Sequence, residues 1–165
     1  MSRKIIVFGN SGSGKSTLAK HLAIKNELAH LDLDTVAWQA VTPPERLSIS
    51  LSKQAIERFL NQHQNWVIEG CYTDLLELVS PCATQMIFLN LPINACIDNA
   101  KKRPWEPHKY ESKAAQDANV DMLINWISQY DKRKDTFSKI AHEKLFEAFE
   151  GNKMMHHTNQ QYSNG

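Results

Sequence analysis

Short runs of β-branched, aromatic and other apolar residues alternate with longer segments of helical periodicity along this chain of 165 residues. The runs predict five strands, at residues 4–8, 29–33, 66–69, 86–91 and 153–158. Strands that alternate with helices are typical of a parallel α/β sheet. The length favours one compact domain that spans residues 1–165.

Capping residues and prolines mark the predicted helices in the middle of the chain. Thr42-Pro43-Pro44-Glu45 matches a capping box with proline in the first turn, and apolar residues at helical spacing follow it. This pattern predicts a helical arm of about twenty residues, within an arm region of residues 35–65. A further helix is predicted at residues 94–102, and two prolines break the pattern directly after it. The segment of residues 103–118 is predicted to be a lid.

Two more helices are predicted near the end of the chain. The buried stripe of the first is formed by Val120, Leu123, Ile124 and Ile127. A second face is predicted to look into a cleft, and it carries Met122, Trp126, Tyr130 and Arg133. The last helix is predicted at residues 135–150 and stops before a glycine.

A glycine-rich motif follows the first strand directly and matches the phosphate-binding loop pattern G-x-x-x-x-G-K-[ST]. Its residues are Gly9, Asn10, Ser11, Gly12, Ser13, Gly14, Lys15, Ser16 and Thr17. Such a loop turns its backbone N–H groups toward the β-phosphate of a nucleoside triphosphate. Lys15 is predicted to reach the β- and γ-phosphates, and Ser16 is predicted to supply one ligand to a Mg²⁺ ion. The motif therefore predicts the binding of a nucleoside triphosphate with Mg²⁺.

Charge and cysteine content argue against several classes of protein. The 19 lysines and arginines nearly balance 18 aspartates and glutamates, and the formal charge of +1 argues against direct nucleic-acid binding. Cys71, Cys82 and Cys96 show neither a disulfide framework nor zinc-site spacing, so reduced thiols are expected. Because the apolar runs are too short for a signal peptide or a membrane span, we expect a soluble, cytoplasmic protein.

Acidic residues follow two predicted strands at the end where open α/β sheets bind ligands. The second strand leads into Asp32-Leu33-Asp34, and strand alternation puts both carboxylates on one side. Asp32 is predicted to hold a water bound to Mg²⁺, and Asp34 to orient or deprotonate an acceptor hydroxyl. The alternative is a solvated turn or a helix cap. The third strand ends in Glu69-Gly70, whose carboxylate is a candidate outer partner of the metal.

Five arginines are candidates for contacts with phosphate groups: Arg3, Arg46, Arg58, Arg103 and Arg133. Arg103 opens the predicted lid and Arg133 ends the face that is predicted to look into the cleft. Either is predicted to close over the triphosphate and neutralise charge on the transferred group, with surface salt bridges as the alternative. Arg46 and Arg58 lie on the predicted arm, where they either hold an anionic acceptor or face solvent.

The phosphate loop, Asp32-Leu33-Asp34, the helical arm, Glu69-Gly70 and a lid that opens with Arg103 together resemble kinases of the adenylate kinase and shikimate kinase type. Within that group, two stretches are similar to the small bacterial topology modulation proteins, or adenylate kinase-related kinases. They are Trp66-Val67-Ile68-Glu69-Gly70-Cys71-Tyr72 and Met86-Ile87-Phe88-Leu89-Asn90-Leu91-Pro92. The resemblance implies a three-layer P-loop NTPase fold, with a five-stranded parallel sheet in the order 2-3-1-4-5, helices on both faces and a short lid. It also implies that the arm binds the acceptor and that the lid closes over ATP.

The chain departs from both kinase types after the third strand. Adenylate kinases have Asp-Gly-x-Pro-Arg there, with an arginine for the acceptor phosphate, whereas Glu69-Gly70-Cys71-Tyr72-Thr73 contains none. Shikimate kinases have a glycine triplet there, whereas this chain has Gly70 alone, although its Asp32 and Asp34 match their D-x-D.

We therefore expect a kinase that transfers the γ-phosphoryl group of ATP, with Mg²⁺, to a small acceptor that carries a hydroxyl group. A nucleoside monophosphate kinase and a nucleotide-switched NTPase or regulatory binding protein are the alternatives. The residues expected to be catalytic are Lys15, Asp34, Arg103 and Arg133, and those expected to hold the metal are Ser16 and Asp32.

Overall fold

A computed structural model describes residues 2–41 and 44–160 of the chain. Its strands are β1 (Lys4–Gly9), β2 (Ala29–Asp32), β3 (Trp66–Gly70), β4 (Gln85–Leu89) and β5 (Asn152–His156). They form one parallel sheet in the order β2-β3-β1-β4-β5. The five predicted strands, their parallel pairing and their order are confirmed, with ends that differ from the prediction by one or two residues.

Helices connect successive strands throughout the described ranges. They are α1 (Lys15–Asn26), α2 (Asp34–Ala37), α3 (Ile49–Gln62), α4 (Thr73–Val79), α5 (Ile93–Lys101), α6 (Lys113–Ala118), α7 (Val120–Ser128) and α8 (Lys139–Ala148), with a 3₁₀ turn at Ser80–Cys82. Within those ranges, no helix has the length and apolar character needed to cross a membrane.

The central strands are apolar at almost every position because helices cover both faces of the sheet. In β1, Ile5 and Val7 point into one core, while Ile6 and Phe8 point into the other. The first core takes residues of α1, α5 and α7, and the second takes residues of α3, α4 and α8. The sheet is therefore the middle of three layers, and its carboxyl edge remains open for a binding site.

The helical arm begins later than the capping pattern predicts. Thr42 and Pro43, which open the predicted capping box, lie outside the described residues, and α3 starts at Ile49. The Ser48 hydroxyl accepts a hydrogen bond from the Leu51 amide at 3.3 Å and caps the helix. Upstream, Arg46 forms an antiparallel bridge with Trp38. The prediction of a helix that starts near residue 42 is therefore wrong, because this segment pairs with the chain after α2.

The predicted cleft face after residue 120 also needs correction. Helix α7 ends at Ser128, and a turn follows in which the Tyr130 amide donates to the Ile127 carbonyl. Tyr130 is buried, so it does not line a cleft. The last helix begins at Lys139 rather than near residue 135, because the Ser138 hydroxyl accepts a hydrogen bond from the Ala141 amide and caps it there.

Candidate active site

A cavity of about 400 Å³ lies at the carboxyl edge of the sheet. The parallel strands all end on this side, so that the phosphate loop, the ends of β2 and β3 and the segment after α5 meet around it. Its lining includes Ser11, Gly12, Ser13, Gly14, Lys15, Ser16, Thr17, Asp32, Asp34, Glu69, Gly70, Cys71, Asn99, Lys102, Arg103, Glu106 and Lys109. Within the described ranges, the lining does not include Gly9, Asn10 or Arg133.

Two glycines give the phosphate loop its shape. Gly12 and Gly14 have φ angles of 78° and 91°, in the left-handed region that favours glycine. A Cβ at Gly12 would overlap the Cys96 carbonyl oxygen, whereas a Cβ at Gly14 would meet no atom within 4 Å. Gly14 is also the N-cap residue of α1, whose first amides have no partner within the helix. The loop is therefore closely packed below and open above, as an anion cradle requires.

The side chains of the phosphate loop divide between its base and its open side. Asn10 is buried, and its side-chain amide donates to the Ile127 carbonyl at 3.3 Å. The Lys15 ammonium donates to the Asn10 carbonyl at 2.8 Å, so it lies across the loop. Asn10 thus ties the loop to α7 and, through its carbonyl, positions the lysine that is predicted to reach the phosphates.

A buried carboxylate lies next to the predicted metal ligand. Glu69, at the end of β3, is 1% exposed, and its Oε1 accepts a hydrogen bond from Ser16 Oγ at 2.5 Å. Its Oε2 is 2.5 Å from His30 Nε2. Because the Ser16 hydroxyl donates its proton to Glu69, the lone pairs of its oxygen are available to a cation. Hydroxyl and carboxylate oxygens are ligands that Mg²⁺ prefers, so Ser16 and Asp32 fit the predicted ion.

The two aspartates after β2 have different surroundings. Asp32 Oδ1 accepts the Asp34 amide at 3.0 Å, which is the local turn that the alternative interpretation predicts. Asp34 Oδ1 accepts a hydrogen bond from the Tyr72 hydroxyl. The Lys109 ammonium donates to Asp34 Oδ2 at 2.7 Å and lies 3.2 Å from Asp32 Oδ2. Both carboxylates therefore have one oxygen in contact with a lysine of the lid.

The charges around the two aspartates shift their pKa values in opposite directions. Burial raises the pKa of Asp34, but Lys109 and the Tyr72 hydroxyl outweigh it and bring that pKa below its usual value. Burial raises the pKa of Asp32, and the negative charges of Asp34 and Glu69 raise it further. Burial lowers the pKa of Lys109, but the two aspartates raise it by more. Asp34 is thus the more acidic of the pair, and Lys109 carries its charge.

Lys109 is a site residue that the sequence analysis did not identify. Arg103, the predicted lid cation, also lines the cavity, where its Nη1 is 3.5 Å from Glu106 Oε1. Glu106 Oε2 in turn lies 3.5 Å from the Lys109 ammonium. The sequence signal for Lys109 was weak, since it is one of several polar residues in a segment with two prolines.

The other arginines lie away from the cavity lining. Arg133 stacks on Trp126, with the guanidinium carbon 3.5 Å from the ring centroid, and donates to the Trp126 carbonyl. The Arg46 guanidinium is 4.9 Å from the ring centroid of Tyr72 and makes an ion pair with Asp74 at 3.2 Å. Arg58 is exposed on α3. The structure therefore brings Lys15, Ser16, Asp32, Asp34 and Arg103 together and leaves Arg133 outside the group.

Comparisons with known proteins show the fold. No protein-family model matches the chain. Over 146 residues, the chain is 23% identical to an uncharacterized protein of Bacillus subtilis, YqaC, with 87% of this chain and 82% of YqaC covered. Among solved structures, a shikimate kinase from Acinetobacter baumannii, in complex with shikimate, has a TM-score of 0.51 at 13% identity, with coverages of 96% and 86%.

Two further structures are similar. A sugar kinase from Janibacter sp. has a TM-score of 0.52 at 12% identity, with 98% of this chain and 88% of that chain covered. TT1252 from Thermus thermophilus has a TM-score of 0.53 at 14% identity, with coverages of 94% and 90%. Together with the strand order and the phosphate loop, these similarities show that the chain has the P-loop kinase fold.

Proposed function

We propose that the chain transfers the γ-phosphoryl group of ATP, with Mg²⁺, to a hydroxyl group of a small acceptor. The observation that carries this proposal is one cavity, shared by the phosphate loop, the Asp32–Asp34 pair and lid residues. A nucleoside triphosphate on the loop would place its terminal phosphate in the space that the carboxylates face. Positioning and charge neutralisation account for most catalysis of phosphoryl transfer, and these residues provide both.

The phosphate loop would bind the triphosphate through the free amides at the start of α1. The Lys15 ammonium would leave the Asn10 carbonyl, 2.8 Å away, for the β- and γ-phosphates. Ser16 and Asp32 would hold Mg²⁺, and Glu69 would keep the Ser16 hydroxyl oriented through their 2.5 Å hydrogen bond. An ion held by Ser16 and Asp32 would neutralise negative charge on the phosphate groups.

Asp34 would act on the acceptor. Its carboxylate would accept a hydrogen bond from the acceptor hydroxyl, while the Tyr72 hydroxyl holds the other oxygen in place. As the acceptor oxygen bonds to the γ-phosphorus, the bond from that phosphorus to the bridging oxygen breaks, and its electron pair leaves with ADP. The hydroxyl proton moves to Asp34, which releases it to solvent with the products. Lys109 must leave Asp34 Oδ2 for this step.

A hydroxyl acceptor is favoured over a nucleoside monophosphate by the residues after β3. The stretch of residues 69–73 contains no arginine for an acceptor phosphate. Arg46, which lies in the arm region, makes an ion pair with Asp74. The rings of Tyr72 and Phe137 lie beneath its guanidinium. Three points remain predictions. They are the similarity to topology modulation proteins, the binding of the acceptor by the arm, and the catalytic role of Arg133.

A panel of acceptors tests the proposal. ADP release with Mg²⁺ and ATP is measured for nucleosides, nucleoside monophosphates, shikimate, gluconate and other polyols, against a control without acceptor. An acceptor that raises turnover at least about a hundredfold supports the kinase. Slow hydrolysis that no acceptor changes contradicts it and favours the nucleotide-switched NTPase.

Asp34→Asn tests the role of the carboxylate in the same assay. We expect acceptor-dependent turnover to fall about a hundredfold or more, because a positioned proton acceptor contributes at least that much. Hydrolysis without acceptor is expected to stay at the wild-type rate. Asp74→Asn is the matched control, since this carboxylate pairs with Arg46 outside the cavity lining. Equal losses in both assays would contradict an acceptor role.

A further inference from the structure

A lysine of the lid occupies the carboxylates that the proposed reaction needs. The Lys109 ammonium is 2.7 Å from Asp34 Oδ2 and 3.2 Å from Asp32 Oδ2. The side chains of Lys109 and Asp32 are 20% and 14% exposed and that of Asp34 is 37% exposed, so the pair with Asp32 is the more sheltered from solvent. Such a pair is screened less by water and salt than a pair on the open surface.

The lid around Lys109 is held together by its own hydrogen bonds. The buried Gln116 side chain of α6 accepts the Glu106 amide at 2.8 Å and donates to the Pro104 carbonyl at 3.0 Å. The Trp105 indole donates to the Tyr110 carbonyl at 3.1 Å. These bonds join parts of the lid to each other, whereas the Lys109 ion pairs join the lid to the end of β2 and the start of α2. Lys109 therefore links a coherent segment to the carboxylates of the site.

The ammonium and a loaded site make competing demands on the same oxygens. A divalent cation held by Asp32 would lie close to the Lys109 ammonium, and like charges at such distances repel strongly. An acceptor hydroxyl would compete with Lys109 for Asp34 Oδ2. The nearest alternative partner of Lys109 is Glu106 Oε2, which is already 3.5 Å away on the lid.

We propose that Lys109 is an internal counter-ion of the Asp32–Asp34 pair, and that a divalent cation displaces it, so that cation binding alone, before any nucleotide binds, frees the lid from these two carboxylates. This inference rests on the proposed function in one respect, the assignment of Asp32 to the metal and Asp34 to the acceptor. By linkage, Lys109 weakens cation binding by the same factor as the cation weakens the hold of Lys109 on the two carboxylates. The apparent cation affinity is lowered according to the fraction of molecules in which Lys109 is displaced.

Manganese binding tests the competition without any turnover. Free Mn²⁺ is measured by electron paramagnetic resonance during titration of the nucleotide-free protein. We expect Lys109→Met to bind Mn²⁺ about tenfold more tightly than wild type, because the competing charge is gone. Lys113→Met is the matched control: Lys113 is also in the lid but pairs with Asp117 on the surface, at 2.9 Å. Equal Mn²⁺ affinity in wild type and Lys109→Met would overturn the proposal.

Hydrogen exchange of the lid amides tests the release. The amides of Glu106, Lys109 and Tyr110 have hydrogen-bond partners within the lid, and these bonds should open more often once Lys109 no longer anchors the segment to the end of β2 and the start of α2. Saturating Mn²⁺ should speed their exchange at least threefold in wild type and in Lys113→Met. In Lys109→Met their exchange should already be fast and should not respond to Mn²⁺. A lid that exchanges at one rate in all of these samples would overturn the proposal.

Lys109→Arg keeps the positive charge but changes the shape of the side chain, so it separates the effect of the charge from the effect of packing. It should retain wild-type Mn²⁺ affinity and Mn²⁺-dependent lid exchange, and a cooperative thermal transition in Lys109→Arg and in Lys109→Met shows that both variants are folded. Failure of the lid inference is distinct from failure of the kinase proposal. An acceptor that stimulates turnover, together with unchanged Mn²⁺ affinity in Lys109→Met, would overturn the lid inference alone. Tighter Mn²⁺ binding with no acceptor response would overturn the kinase alone.

Discussion

The floor and the roof of the cavity are held by different interactions. The floor, which consists of the phosphate loop and the strands beneath it, rests on aromatic packing. Phe8 and Phe88 stack with ring centroids 4.6 Å apart, and His142 packs edge-on against them at 5.5 and 5.9 Å. The roof is the lid, and it reaches the carboxylates below through the charged side chain of Lys109.

This difference separates the tasks of the two regions. Apolar packing is insensitive to screening by salt and has no ligand that replaces it, so the floor keeps its geometry in every state of the site. An ion pair weakens with salt, and an incoming cation can take the place of its lysine. The roof can therefore respond to what binds in the cavity. The phosphates would thus meet a prepared surface, whereas the carboxylates on the acceptor side would become free only when Lys109 is displaced.

Removal of the Lys15 charge should have the largest effect and test the floor. Lys15→Ala removes the ammonium that lies across the loop, and we expect turnover to fall about a thousandfold, as for other groups that stabilise transferred charge. The free energy of unfolding should change little, because the ammonium has one hydrogen bond to the Asn10 carbonyl. ADP release and urea unfolding measure the two quantities. Lys25→Ala, at the other end of α1, is the control. Intact ATP affinity and turnover would contradict the loop assignment.

The buried histidine of the floor should make stability depend on pH. Burial lowers the pKa of His142 to about 4, although the Cys71 carbonyl, 2.8 Å from Nε2, partly offsets this effect. The ordinary pKa of histidine, about 6.5, applies to the unfolded chain. Between these values the unfolded state binds the proton and the folded state does not. The stability that comes from keeping His142 neutral is therefore fully present above pH 6.5. About 3 kcal/mol of the free energy of unfolding should be lost as the pH falls from 6.5 to 4.

His142→Gln isolates this contribution from the carboxylates that titrate in the same range. Glutamine carries an amide that does not titrate, so the variant should show a shallower fall in its free energy of unfolding between pH 6.5 and 4. Urea unfolding at intervals of half a pH unit measures both curves. Parallel curves for wild type and variant would show that His142 is not the titrating group.

Alanine substitutions at two glycines should distinguish the closely packed surface of the phosphate loop from its open surface. Both Gly12 and Gly14 have positive φ, so each alanine costs about 1 kcal/mol in backbone strain. Gly12→Ala also forces its methyl group against the Cys96 carbonyl, and we expect it to lose about 2 kcal/mol more of unfolding free energy than Gly14→Ala. Gly14→Ala should instead weaken ATP binding, since its methyl group projects into open space above the loop. Equal stabilities would contradict the tight packing under Gly12.

Local sequence patterns were sufficient for the sheet and the phosphate loop. The strands were predictable because burial on both faces produces short continuous apolar runs, and the loop because its glycine positions are set by backbone conformation. The start of α3 was not predictable from the capping pattern near residue 42. Its position depends on pairing between Arg46 and Trp38, which is a tertiary contact.

The charged half of the site was predictable in part. Asp32 and Asp34 were identified because strand alternation and the carboxyl edge of the sheet are read from the sequence. Lys109 was not identified, because its contacts depend on how the lid folds over a strand that lies far from it along the chain. The cleft position predicted for Tyr130 was wrong because helical spacing was extended beyond Ser128, where α7 ends. Side chains on irregular segments carry little periodic signal.

Salt should produce the smallest effect and distinguish roof from floor in one sample. Raising NaCl from about 0.02 to 0.5 M shortens the screening length to a few ångströms, which weakens the Lys109 ion pairs. We expect the amides of Lys109 and Tyr110 to exchange two- to threefold faster, while those of β1 keep their rate. Hydrogen exchange read by mass spectrometry measures both segments together, and Lys109→Met should abolish the salt response. A lid that ignores NaCl would mean that Gln116 and Trp105 hold it without the ion pairs, and the roof would then resemble the floor.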